Sequence, residues 1–349
     1  MKKILFASSA LVAVAAAGTA QASEPIKLSV GGYMEQWAGF ADQDVGERKN
    51  AFQSDTEVHF SGETTLDNGI LVGAKIELEG ETSTDQVDEQ YLYVTGGFGQ
   101  VRLGKDDSAA DSMGITAPSV GPVGVNDGDL TNWVDAYLID TVPSSGDQNR
   151  VTYYSPVFGG FRLGASYADD SQRNGASGYN GTDGDGDNIV SAGIEFRHDF
   201  DGVSLGLSAT GENWGEGNWY GLGATVGFGN FVVGTSWGHI EDDYAQNEGS
   251  RTGDDTNAFD VGVSYAMDAA TVSLSYGYAE YGNRDIDSSS NVNPAGTGEI
   301  STVDLGMSYA LGAGVAWRSS IFWFDDDSDN AAIADNDGYG AVTGIALTF

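Results

Sequence analysis

The sequence predicts an all-β chain, a 16-stranded antiparallel transmembrane β-barrel. Three observations predict it. Apolar and polar residues alternate with period two in units of roughly ten residues from Ile26 to Phe349. The connections between units are alternately short and long, and aromatic residues gather at the strand ends.

The alternation is clear in Val203, Leu205, Leu207 and Ala209, interleaved with Ser204, Gly206, Ser208 and Thr210, so that one face is apolar and the other small or polar. Sixteen such segments are predicted to start near Ile26, Gln53, Ile70, Asp85, Gln100, Arg150, Phe161, Ile189, Val203, Asn218, Phe231, Asn257, Thr271, Glu299, Val315 and Asp337. An even count lets up-and-down strands close into a ring, and sixteen strands leave a water-filled interior where eight would leave a packed one.

Seven connections are tight: 67–69, 98–99, 157–160, 201–202, 229–230, 268–270 and 311–314. They carry the Gly, Asn and Asp that reversals with positive φ favour. The stretches 168–188, 241–256, 282–298 and 325–336 are longer and acidic, as expected of loops on the opposite rim. Phe98, Phe158, Phe161, Phe200, Phe228 and Phe231 lie beside tight turns, and Trp37, Tyr167, Trp214, Trp237, Tyr281 and Trp323 near long loops. Two aromatic bands at the interfaces of a bilayer would account for both sets.

The N-terminus addresses the chain. Lys2 and Lys3 precede a short apolar run from Ile4 to Gly18, and Ala20-Gln21-Ala22 is a small-x-small cleavage site, the pattern of a Sec signal peptide over residues 1–22. The mature chain is then 23–349. Losing Lys2 and Lys3 leaves 13 Lys and Arg against 52 Asp and Glu, a net charge of −39. Such acidity excludes a nucleic-acid partner, which needs a basic footprint, and favours cations. With no Cys, the chain has no disulfide.

Several stretches resemble the Gram-negative general diffusion porins, especially the alphaproteobacterial trimeric porins. Gly96-Gly97-Phe98-Gly99-Gln100-Val101-Arg102-Leu103-Gly104-Lys105-Asp106 is similar to the hairpin leading out of that family's fourth strand. Arg150-Val151-Thr152-Tyr153-Tyr154-Ser155-Pro156, continuing through Phe158-Gly159-Gly160-Phe161 to Tyr167, resembles the next hairpin. The terminal Phe349 ends the bulkier stripe of the last segment and resembles the family's assembly signal.

The resemblance implies a homotrimer in the bacterial outer membrane, in contact with the lipid bilayer and lipopolysaccharide, that passes small hydrophilic solutes and ions without a required cofactor. A substrate-selective channel of the same architecture is the alternative. It also implies that the longest connection, residues 106–149, folds inward to narrow the pore. The apolar content of that connection, including Met113, Ile115, Val123, Trp133 and Ile139, argues for an ordered loop.

Strand parity predicts a charged eyelet. If Val72, Ala74, Ile76 and Leu78 face lipid, Lys75 faces inward, and the same parity turns Lys27, Arg102, Arg150 and Arg162 inward. Opposite them the loop carries Asp106, Asp107, Asp111, Asp127, Asp129, Asp135 and Asp140. Opposed charges would set a transverse field across the constriction.

Two outer stretches, Asp183-x-Asp185-x-Asp187 and Asp325-x-Asp327-x-Asp329, space carboxylates as in the first half of an EF-hand and are candidate sites for Ca²⁺, the alternative being a solvated acidic rim. Both depart from the motif, with Asn188 or Asn330 where Gly belongs and Ile194 or Asn336 where a bidentate Glu belongs. Catalysis is not expected. Among His59, His198 and His239 no base stands beside a nucleophile in the sequence, and His59 reads as a luminal side chain next to Glu57.

Overall fold

The alternation of side chains is realised as a ring. A computed structural model describes residues 25–46, 50–81, 86–126, 128–169, 188–244, 255–282, 296–330 and 333–349. Its sixteen strands are β1 (Lys27–Gln43), β2 (Asn50–Thr65), β3 (Leu71–Glu79), β4 (Val87–Gly96), β5 (Gly99–Asp106), β6 (Gln148–Tyr154), β7 (Phe161–Ala168) and β8 (Ile189–Phe200), followed by β9 (Val203–Trp214), β10 (Gly217–Phe228), β11 (Phe231–Ile240), β12 (Thr256–Met267), β13 (Ala270–Gly282), β14 (Thr297–Gly312), β15 (Val315–Ser328) and β16 (Asn336–Thr348). Every strand pairs antiparallel with its sequence neighbours, and β1 pairs with β16 to close the barrel. The largest difference from the expected starts is at β2, which begins at Asn50 rather than Gln53. The signal-peptide segment and Asp183, Asp185 and Asp187 lie outside the described residues.

Parity sorts the side chains. Leu103, Leu163, Leu207, Leu222 and Ile321 stand exposed on the outer surface, as a barrel facing acyl chains requires. The phenylalanines of the short-turn rim are exposed as expected, and Phe228 stacks on Phe231 with ring centroids 5.5 Å apart. Tyr167, Trp237 and Trp323 are likewise exposed at the other rim.

Trp37, Trp214 and Tyr281 correct the expected outer band, because they fall on inward positions. Trp37 is 6% exposed, Trp214 stands edge-on to Tyr244, and Tyr281 stacks on Tyr137 at 3.8 Å. Proximity to a long loop does not decide which way a strand residue points; parity does.

Asp325 and Asp327 lie within β15, opposite Ser301 and Glu299 of β14. Extended backbone holds alternate residues about 6.6 Å apart and cannot coil around an ion as an EF-hand loop does. Asp329, just beyond the strand, accepts a hydrogen bond from Thr297.

The connection from β5 to β6 enters the ring, and the buried core forms on it. It contains a short helix α1 (Ala109–Met113), capped by the Ser108 hydroxyl, and one 3₁₀ turn (Asp129–Asn132). Each of the four apolar clusters among the described residues combines this loop with inner wall, the largest joining Val123, Leu130, Trp133 and Val134 to Trp37, Phe322, Phe324 and Val342. Burying an apolar side chain of this size stabilises by about 1.5–3 kcal/mol, so the loop is held by the same force as an ordinary protein interior.

Candidate functional site

The loop crosses the lumen in two tiers. Outbound, residues 109–123 pass β7 to β15 in order; returning, residues 133–146 pass from β1 to β9 nearer the long-loop rim. On β13 the outbound tier meets Ser273 and the return tier meets Gly277; on β11 the corresponding residues are Gly234 and Gly238.

Why the inner wall is small and polar becomes clear at each crossing. The loop backbone cannot pair as sheet, so its buried N–H groups need side-chain acceptors. Ala109 N–H donates to Ser166 Oγ, Ile115 to Ser208, Val120 to Ser273 and Val123 to Ser320, at 3.1–3.2 Å, while Ala117 donates to Asp260 Oδ1. On the return tier Tyr137 N–H donates to Asp326 and Ser145 N–H to Glu212. Asn126 ties the tiers together, accepting from Thr141 N–H and donating to Thr141, Asp260 and Ser236.

Glycine supplies the clearance. A Cβ on Gly223 would lie 2.0 Å from Ile115 O, and one on Gly306 2.5 Å from Gly121 N.

At its turning point Trp133 packs over Gly39 of β1, and Asn132 O accepts from Gln53 Nε2 of β2. Between this tip and the wall lies a cavity of about 330 Å³ lined by Gln53, Asp55, Glu79, Glu81 and Asp129. Toward the short-turn rim a second recess of about 520 Å³ is bordered by Tyr33, Glu35, His59 and Lys75. The passage therefore runs between the loop and the inner faces of β1 to β5.

The structure separates the five cations expected on one wall. Lys75 and Arg102 border the passage. Lys75 contacts Glu77 and lies 3.9 Å from Glu89, whereas Arg102 bonds Asp106 at 3.1 Å and lies over the Tyr91 and Tyr154 rings. Arg150 does not line the lumen: its side chain is 1% exposed, held behind the loop by Ser145 Oγ, Gly146 O and Glu212. Arg162 sits over Tyr154 with Glu195 at 3.5 Å, and Lys27 opens β1 at the short-turn rim opposite Glu63. Inward parity held for Arg150; what the sequence did not disclose is that the loop covers that part of the wall.

The loop acids also divide. Asp106 is buried against Arg102, and Asp107 lies with Glu89 and Asp147 in a cluster whose oxygens come within 4.8 Å of one another. Asp111 is in the first turn of α1, and Asp140 caps its own turn by accepting from Val142 N–H. Asp135, exposed, is anchored through its backbone to Gln43. Asp129 alone of the expected acids borders the cavity at the tip, and Asp127 lies outside the described residues. Burial first, then the carboxylates of Asp107 and Asp88, push Asp147 up to about 9.

Glu35, Asp55, Glu77, Glu79 and Glu89 were missed from the sequence, where only Glu57 was placed beside a luminal His59; Glu35, Asp55 and Glu79 line the two cavities, and Arg318, also missed, bonds Glu35 at 3.1 Å and the loop carbonyls of Val120 and Gly121. The parity that turned Lys75 inward also turns Glu77 and Glu79 inward, so the signal was present for those two. Facing Asp129, this wall is itself acidic, and the expected opposition of basic wall and acidic loop gives way to paired charges along one wall.

Comparisons with known proteins agree with this architecture. A family model described as Gram-negative porin matches residues 7–330. An uncharacterized protein of Rickettsia conorii is 23% identical over 377 residues, covering 79% of this chain and 85% of that protein. Its counterpart in Rickettsia typhi is 23% identical over 378 residues, covering 79% and 86%. Among solved structures, the anion-selective porin from Comamonas acidovorans superposes with a TM-score of 0.62 at 17% identity, covering 93% of this chain and 100% of that one. The trimer form of OmpT, an outer-membrane protein of Vibrio cholerae, gives 0.65 at 12% identity with the same coverage. At these identities the likeness is one of fold.

Proposed function

Because this chain belongs to the Gram-negative porin family and forms an outer-membrane diffusion channel, we propose that it admits small hydrophilic solutes with a preference for cations, and that the wall of β1 to β5 sets that preference. The family is one of non-enzymatic channels, and passage needs no chemistry beyond desolvation and electrostatics. The observation that carries the reading is the one-sided lumen. The loop covers the serine- and glycine-rich wall and leaves uncovered the carboxylates of Glu35, Asp55, Glu79 and their neighbours, only partly offset by Lys75, Arg102 and Arg318.

Fixed charges act over a Debye length of about 8 Å at physiological ionic strength, so charges on this wall act more strongly on a passing ion than those on outer loops. Reversal potentials in a KCl gradient across a planar bilayer test the proposal. Neutralising Asp55 and Glu79 together to Asn and Gln lowers the K⁺ preference, whereas Lys75→Gln with Arg102→Gln raises it. Unchanged potentials in both double variants would remove the wall from selectivity.

We further propose Sec export, contact with lipopolysaccharide and a homotrimer, the last on the family relationship and the trimer form of OmpT. Migration on a denaturing gel with and without heating distinguishes the trimer from a single barrel.

A further inference from the structure

We propose that Glu57, His59 and Glu77 form a binding site for a divalent transition-metal cation of the zinc class on the lumen wall, a site apart from the outer acidic stretches. Its geometry follows from strand register. Glu57 and His59 are two residues apart on the inner face of β2, and Glu77 of β3 pairs directly opposite His59. His59 Nε2 lies 2.8 Å from Glu57 Oε2 and 3.5 Å from Glu77 Oε2, and all three donor atoms fall within 4.8 Å of one another. Ligands held at 2.0–2.2 Å around a tetrahedral Zn²⁺ stand about 3.3 Å apart, and the two distances from His59, 2.8 and 3.5 Å, bracket that spacing.

A second observation points to a bound cation. Glu57 is 7% exposed, and its Oε1 has no hydrogen-bond partner. A buried carboxylate oxygen left without a donor is unfavourable, and a cation bound at the Glu57 carboxylate would offset it. Imidazole beside two carboxylates selects Zn²⁺ and its neighbours over the oxygen-seeking Ca²⁺ and Mg²⁺. The recess that reaches His59 also borders Lys75, so an ion from the lumen has an entry path to the site.

Lys75 is the built-in competitor. Its ammonium contacts Glu77 Oε1, the oxygen beside the one that faces His59, and lies 3.9 Å from Glu89, so it competes with a cation for the Glu77 carboxylate and has Glu89 as a second partner. This gives the site a signature that a generally acidic wall lacks, since removing one particular cation tightens the metal while removing one imidazole weakens it.

Calorimetric titration of the folded, detergent-solubilised protein with ZnCl₂ and separately with CaCl₂ tests the assignment. Binding is read without ionic current, so its failure is distinct from failure of the channel reading. The expected result is saturable Zn²⁺ binding to one site per chain. His59→Gln and Glu57→Gln should each weaken it at least about tenfold, as loss of a ligand exceeds the loss from an outer-shell partner. Lys75→Gln should tighten it, and Ca²⁺ heats should be indifferent to His59→Gln. Heat-dependent gel migration verifies the fold of each variant, and Glu57→Gln carries the test if His59→Gln fails to fold. Zn²⁺ binding that survives His59→Gln or Glu57→Gln unchanged, absence of Zn²⁺ binding, or weaker binding in Lys75→Gln overturns the assignment.

Discussion

Single atoms on the inner wall decide how wide the passage is. Gly223 leaves no room for a methyl group against Ile115 O, so Gly223→Ala pushes the outbound tier off the wall and into the lumen. Single-channel recordings should show a smaller conductance with insertion intact. Asp147 offers a second test, because its carboxyl holds a proton to about 9 through burial and the nearby acids. A carboxyl raised in the folded state contributes most stability below its unfolded value near 3.9 and loses that contribution as pH climbs through the folded value. Asp147→Asn should therefore raise the thermal midpoint at pH 8 and change it little at pH 4, measured by gel migration after graded heating. Neither residue drew notice in the sequence. Glycine is abundant, and Asp147 gains its character from burial and from Asp107 and Asp88, all of which reach it only through folding.

At the scale of elements, the strands were legible and the loop's course was not. Period-two alternation placed β3, β9 and β16 because lipid on one side and water on the other leave each side chain two choices. The small, polar stripe of Ser204, Gly206 and Ser208 was visible too. Its purpose was hidden because the partner of Ser208 is a backbone N–H of the loop, and backbone atoms carry no residue identity in a sequence. The same gap explains Arg150: parity gives the side of a strand but not what comes to cover it. The serine acceptors make a testable set. Ser208→Ala combined with Ser273→Ala orphans two buried N–H groups at about 1–3 kcal/mol each, loosening the loop without touching the lipid-facing surface. Open-channel current should become noisier, with unchanged noise arguing that apolar packing around Trp133 suffices to hold the loop.

For the whole molecule, net charge is a poor guide to where the acids lie. If the acids on the uncovered wall set the preference proposed above, their influence should persist at salt concentrations that screen the outer loops. Cation preference measured from 0.1 to 1 M KCl should therefore fall less steeply than expected for charges at the mouth, since the Debye length shrinks from about 10 Å to about 3 Å over that range. A two-tier loop fastened from β7 round to β1 also makes the opening eccentric. What is left is a crescent against one side of the cylinder. A crescent sieves by thinnest dimension, so flat rings and extended chains should outpace compact molecules of equal mass, and a travelling dipole has one charged bank along which to align.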